Sequence, residues 1–350
     1  MKLALVGDVM LGRLVNRALR QAPSREPWGD TLGLLAQADA RICNLECVLS
    51  DRGVPAKKAF TFRSDSKNIA VLKAAGINAV SLANNHALDY GPDALSDMLQ
   101  ILGREGIAHA GAGRSASEAR APAMVRAGGL AVKMLSATDN EPGWEATENR
   151  PGVWYVPTDR SDARVRRLLD ATAAAKKGAD IVIVAVHWGS NWGYAPEPGH
   201  RELGAALVDA GADVVFGHSS HVTRGVELYR EGVILYGTGN FIDDYAVDEL
   251  EPNDESFVLL LDYAGRRLAG IRLHPTLIQG FRAVRVQGSR RDAIVGRMTS
   301  LCGGLGTHVE WDEAVDALRV VLPVRGSGPP PSPVALPPAR AGTSRQGGRR

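Results

Sequence analysis

Apolar residues in this chain come in short unbroken runs that end on polar or ionisable residues, with amphipathic stretches between the runs. Residues 2–9 (KLALVGDV), 40–46 (ARICNLE) and 78–83 (NAVSLA) read as strands. So do 179–189 (ADIVIVAVHWG), the most continuous apolar run, and 212–221 (ADVVFGHSSH). Between them, 65–75, 92–105, 164–177 and 200–210 carry helical patterning. Asp65 or Ser66 is placed to cap the first of these helices and Gly76 to end it. Pro92 suits the first turn of the second, where its missing N–H would have no partner anyway. Hairpins are expected at 123–138, at 225–237 turning on Arg230-Glu231-Gly232, and from 257–262 to 268–274 around Ala264-Gly265. Continuous apolar strands alternating with helices imply an α/β sheet covered on both faces, and the hairpins make it mixed.

The strand ends hold the chemistry. VSLANNHALDYG (80–91) closes an apolar run with two amides and an imidazole, groups that are costly to bury without partners. Four other runs close in the same way: on Asp8, on Asn44 and Glu46, on His187, and on His218 and His221. In open α/β sheets the loops at the carboxyl ends of strands converge on the ligand site. Carboxylates, amides and imidazoles without committed thiolates suit Mn, Fe, Zn or Co. Taken singly, Asp8 or Asn85 also fits a helix cap, and His187 fits a buried core histidine; the five ends together favour a metal. His109, His200, His274 and His308 fit no motif and read as structural.

At 350 residues the chain can bury a substantial core in one large domain or two smaller ones. Net charge is +2, but residues 326–350 hold four arginines and no acid, so residues 1–325 carry −2. A body of that charge gives no electrostatic ground for binding nucleic acid. The segment 326–350 (GSGPPPSPVALPPARAGTSRQGGRR) has almost nothing to bury and reads as a disordered tail behind a single domain over 1–325. No uncharged apolar run approaches the ~18 residues that a membrane span needs, and the N-terminus lacks signal-peptide features. Three cysteines, Cys43, Cys47 and Cys302, are too few and too odd in number for a disulfide framework and fit a reducing cytoplasm. Cys43 and Cys47 read as small buried hydrophobes, with a thiolate pair as the alternative.

The motifs GDVMLGR, NLE, SLANNHALDYG, VHWG, GHSSHV and GTGNF, in that order over residues 2–245, closely resemble the CapA-type capsule-biosynthesis (poly-γ-glutamate synthesis) family. That family is a branch of the calcineurin-like metallophosphoesterase superfamily. The resemblance implies a four-layer α/β/β/α sandwich with mixed sheets. It also implies that Asp8, Glu46, Asn85, His187, His218 and His221 ligate divalent metal (Mn, Zn or Fe), with Glu46 in the bridging place and His86 stabilising or protonating the leaving group. Met10 stands where a histidine ligand would be, and one extra residue separates His218 from His221. The expected outcome is one firmly held ion, on Glu46, Asn85, His187 and His218. A second position, on Asp8, Glu46 and His221, would be weak or vacant.

On this reading Asp8 orients or deprotonates a metal-bound water and His86 acts as acid. Arg13 is placed to clamp a phosphate or carboxylate, Trp188 and Tyr194 (with Trp192 between them) to line a substrate pocket, and Lys57 and Lys58 to attract an anion. Asn240 is expected to hold the His218–His221 loop. The function expected is a soluble, cytoplasmic metal-dependent hydrolase acting on a small anionic phosphoester or an amide such as a γ-glutamyl bond. The rivals are a non-catalytic accessory role in poly-γ-glutamate synthesis or export, and a metal-stabilised module that binds acidic peptides.

Overall fold

The computed structural model describes residues 1–323; the disordered tail expected over 326–350 lies outside the described residues. Two mixed sheets face each other. In the larger, the parallel strands Lys2–Val9, Ala40–Leu45, Ala79–Ser81 and Ala108–Ala110 lie side by side, and Asn240–Ile242 pairs in parallel with Lys2–Val9. The long hairpin Glu255–Ala264 and Arg267–Gln279 continues that sheet antiparallel on the other flank, followed by Ala317–Val320 and Val309–Asp312. In the smaller sheet Leu130–Thr138, Ile181–His187, Val214–His218 and Gly232–Leu235 run parallel. Ala123–Ala127 and Val226–Tyr229 are its antiparallel edges.

Strand alternation sorts the side chains into layers. Leu3, Leu5 and Ile42 of the larger sheet turn inward and share one buried cluster with Met134, Ile183 and Phe216 of the smaller. Ala4, Val6 and Val80 turn outward under Leu72, Leu95 and Met98, from helices Ile69–Ala74 and Gly91–Arg104. On the far side, Val182, Val184 and Val215 pack under Leu168 and Leu203, from helices Ala163–Lys177 and Pro198–Asp209. The order is helix, sheet, sheet, helix. Central strands sealed on both faces explain why they read as unbroken apolar runs rather than alternating ones.

The expected helix at 65–75 is a 3₁₀ turn, Ser66–Asn68, running into Ile69–Ala74. Helix Gly288–Gly304 and the hairpin of Val309–Asp312 with Ala317–Val320 had no counterpart in the sequence reading. Among the described residues no helix is long and apolar enough to cross a membrane. The three cysteines are free and buried, and burial pushes the Cys47 thiol up to about 12.

Candidate metal centre

The parallel strands of both sheets end at the same side of the sandwich. In the larger sheet Val6 pairs with Cys43 but Asp8 with Asn44, leaving Gly7 as the extra residue of a bulge. Only glycine fits there, because a Cβ at Gly7 would stand 2.0 Å from the Gly239 carbonyl oxygen. The bulge sets Asp8 opposite Asn44, whose amide donates to Asp8 Oδ1 at 2.8 Å. In the smaller sheet His187 and His218 are direct neighbours in register. Gly217 lets the Val214–His218 strand lie against the next backbone; a Cβ would meet the Leu235 carbonyl oxygen at 2.4 Å. Beyond His218, Ser219 takes a left-handed φ of 97°. This strained turn accommodates the extra residue before His221.

Asp8, His187 and His218 each bring a ligating atom within 4.8 Å of the others. The Nδ1 atoms of His187 and His218 are 3.4 Å apart. Two imidazole nitrogens bound tetrahedrally to one ion at about 2.0–2.1 Å stand about 3.4 Å apart. Glu46 lies against Asp8 and places Oε1 3.8 Å from His187 Nε2 and 3.9 Å from His86 Nε2. Donors from one sheet thus meet donors from the other. The expected division into two ligand sets is not the grouping observed, since Asp8 sits with His187 and His218. Asn85 keeps its amide beside His86, Nδ2 to Nε2 3.3 Å, with Oδ1 buried and unpartnered. His221 gives its Nδ1 to Asn240 Oδ1 at 2.9 Å, so Asn240 holds the loop as expected. Met10 is buried in the outer apolar layer with the helices and does not reach the cluster.

The electrostatics suit a cation. Burial pushes the Asp8 carboxyl up to about 7, and the Asn44 amide only partly opposes it. Glu46 is raised further by burial and by the charges of Asp8, Asp243 and Asp89. Burial also lowers His187, His221 and His218, the last to about 3, keeping these imidazoles neutral. Neutral imidazole is the ligating form. Asp8 Oδ2 and His218 Nε2 are buried with no hydrogen-bond partner. Lys58 pairs with Asp89 and Glu141, and Arg13 with Asp244, so neither cation is spent on Asp8 or Glu46. Two crowded carboxylates, unpartnered buried ligand atoms and neutral imidazoles form a donor set that fits a divalent ion.

Around the cluster, buried Asn84 finds its partners among the neighbouring strand ends. Its amide donates to Asn44 Oδ1 and the Leu45 carbonyl and accepts from the His86 N–H, tying strand ends together. His86 Nδ1 is 2.5 Å from Asp89 Oδ2, and Asp89 is fixed in turn by the Phe62 N–H. Asp89 escaped the sequence reading, as did Asp244. Lys58 lies behind this pair, donating to the Asn85 carbonyl with its ammonium 4.5 Å from the Trp144 ring centre. Arg13 pairs through Nε with buried Asp244 at 3.3 Å and stands about 5.3–5.5 Å over the Phe62 and Tyr245 rings. Those rings touch His86 and His221, at centroid distances of 4.0 and 4.7 Å. Arg13 itself holds φ at 49°, a strained value for a side-chain-bearing residue.

Trp188 borders a small cavity with Asp139, His187 and Leu203 and is otherwise packed into the fold. It is 1% exposed, donates its indole N–H to the Tyr236 carbonyl and stacks on His200. Tyr194 turns to Arg297 instead, under its guanidinium. Trp192, 42% exposed, also stands against the centre, edge-on to His221 at 5.8 Å.

A profile of the bacterial capsule synthesis protein family PGA_cap matches residues 2–245. The chain belongs to this family. Every motif residue described above falls within the match. This PGA_cap member is 39% identical over 252 residues to the probable polyglutamine synthesis accessory protein of Mycobacterium tuberculosis, covering 68% of this chain and 65% of that one. It is 31% identical over 245 residues to the PGA biosynthesis protein CapA of Bacillus subtilis, covering 69% and 63%. With the capsule biosynthesis protein CapA of Bacillus anthracis it shares 29% over 247 residues, 69% and 59% of the two chains. The chain therefore spans less than two thirds of the length of these curated relatives.

Proposed function

We propose that this PGA_cap protein is a divalent-metal-dependent hydrolase acting on an anionic phosphoester or on an amide such as a γ-glutamyl bond. The observation that carries the reading is the buried cluster of Asp8, Glu46, His187 and His218, two crowded carboxylates without a cation beside neutral imidazoles. Asp8, Glu46, His187 and His218 would hold the ion, with Asn85 and His221 at its margin. Bound there, a divalent ion lowers the pKa of a coordinated water and polarises the bond to be cleaved.

The chain's own residues supply the rest. Asp89 fixes the His86 ring through Nδ1, so Nε2 faces the Glu46 side and is the atom that passes a proton to a leaving group. Burial lowers the pKa of His86 while the Asp89 carboxylate supports its charged form, so the imidazolium gives up its proton readily. Arg13, pinned by Asp244 and by the aromatic rings, is set to meet an anionic group of the substrate. Trp192 gives the mouth an exposed apolar edge.

A second reading, a non-catalytic accessory role in polyglutamate assembly, rests on the names of the relatives. One experiment separates the two. Protein purified without a metal-binding tag is analysed for metal content and assayed on phosphoester and γ-glutamyl substrates, beside His187→Ala and His86→Ala. The hydrolase reading expects about one transition metal per chain, absent from His187→Ala, and turnover lost at least about 100-fold in metal-loaded His86→Ala. Wild-type turnover in His86→Ala would sink the assignment of His86. No metal after reconstitution with Mn or Zn would favour the accessory role.

A further inference from the structure

Just past the strand Asn240–Ile242, the segment IDDYAVDELEPNDES (242–256) is dense in oxygen donors, and its acids are not all on the surface. Asp243 is 4% and Asp244 8% exposed. Asp243 Oδ1 accepts the Tyr245 N–H, while Oδ2 is buried without a partner. Asp244 Oδ2 takes the Leu14 N–H and faces Arg13, while its Oδ1 is likewise buried and unpartnered. Both residues border a cavity of about 180 Å³ that Asn253, Asp254 and Tyr245 also line. Asp254 Oδ1 takes Arg290 at 3.0 Å.

The charges around this cavity do not balance. Arg13 answers Asp244 and Arg290 answers Asp254, but among the described residues no lysine or arginine pairs with Asp243. The charged neighbours of Asp243 are Asp244, Asp8, Asp254 and Glu46, all of its own sign. A buried carboxylate with a free oxygen and only like-charged neighbours is costly unless a cation joins it. We propose that this cavity is a second cation site, distinct from the histidine-bearing centre, that takes one hard divalent cation on Asp243, Asp244 and Asp254. The donors are oxygens alone, with no imidazole or thiolate among the lining residues, which selects Mg²⁺ or Ca²⁺ over transition metals. The cavity is large enough for the ion with part of its hydration shell. Because Asp244 also anchors Arg13, occupancy here would stiffen the residue that faces substrate.

The test uses full-length protein whose histidine centre is already loaded with Zn²⁺. Calcium is titrated by calorimetry, and Tb³⁺ by luminescence excited through Tyr245, which lines the cavity. The expected result is one Ca²⁺ or Tb³⁺ per chain, bound at least about tenfold more weakly in Asp243→Asn and in Asp254→Asn. His187→Ala, tested without zinc because its histidine centre is not expected to hold the metal, should still bind Ca²⁺ at this cavity. Calcium should raise the melting temperature of wild type and leave that of Asp243→Asn unchanged. Asp243→Asn removes an uncompensated charge and keeps the shape, so it should fold; Asp254→Asn, at the cavity rim, is an independent check. Three results would overturn the proposal: no saturable binding at low millimolar calcium, equal binding in both variants, or loss of binding in His187→Ala.

Discussion

Replacing Asp8 by Asn should stabilise the metal-free protein and weaken the metal-bound one. Burial raises the Asp8 carboxyl from 3.8 to about 7. Below pH 3.8 the group is protonated in both folded and unfolded chains and costs nothing. Between those values the unfolded chain releases its proton while the folded chain retains it, so stability falls as pH rises through that window and levels off above about pH 7. At 1.36 kcal/mol per pKa unit the full cost is about 4 kcal/mol, an upper figure because Glu46 shares the strain. The amide is nearly isosteric: its oxygen can still accept from Asn44, and its Nδ2 can turn to Glu46. The assay is melting temperature in chelator, for wild type and Asp8→Asn, at half-unit steps from pH 5 to 8. The difference should be about a third of its full size at pH 5 and grow to roughly 5–10 °C by pH 8 for a domain of this size. Adding Zn²⁺ or Mn²⁺ should reverse its sign, because the variant has lost an anionic ligand. A flat difference across pH, or a wild type indifferent to chelation at pH 8, would refute the picture of an anionic cluster awaiting a cation.

Met10→His should not create a second metal position, since residue 10 points into the helix-facing apolar layer; metal per chain stays constant and denaturant melts show a loss of about 1–3 kcal/mol from the buried imidazole. Asp89→Asn leaves His86 Nδ1 without its carboxylate, and metal-loaded protein should lose about 10–100-fold in kcat with unchanged metal content, checked by steady-state kinetics beside mass spectrometry. Away from the centre, buried His274 is held down at about 4 with one nitrogen on the Asp316 carbonyl. The unfolded chain takes up that proton near pH 6.5 and the folded chain only near 4, so stability is full above 6.5 and falls as pH drops through this window, by at most about 3 kcal/mol. In urea melts from pH 7 to 4, His274→Gln should lack that part of the acid limb.

Much of the fold and the candidate centre was legible because sealed parallel strands leave a plain signature, an apolar run stopped by an ionisable residue. Asp8, His187 and His218 are each the end of such a run, and the structure brings them together. What escaped had no such signature. Asp89 is three residues beyond His86 in a turn with no period, where an acid looks solvated; it is 0% exposed, held by the Phe62 N–H and by Lys58, both distant in sequence. Asp243 and Asp244 sit in an acid-rich loop that reads as surface for the same reason. Trp188 and Trp192 are four residues apart in one irregular loop, and nothing local tells which turns inward; the choice is set by His200 and Tyr236, which receive Trp188. Helix Gly288–Gly304 has four glycines and weak amphipathic patterning, so its packing comes from the sheet rather than from its own sequence.

The centre takes its donors from both sheets, and that makes it a clasp across the seam of the sandwich. Asp8 and His218 are 210 positions apart in the chain, so an ion held there as proposed could be gripped only after the two halves have docked. Such an ion would bind the native arrangement and not its parts, and its affinity would add directly to the cohesion of the sheets. Conversely, a change deep in the seam, at Leu5 or Phe216, should loosen the grip on the ion without touching a ligand. Scarcity of the metal would then show itself first as slack between the halves, open to proteases, before any loss of secondary structure.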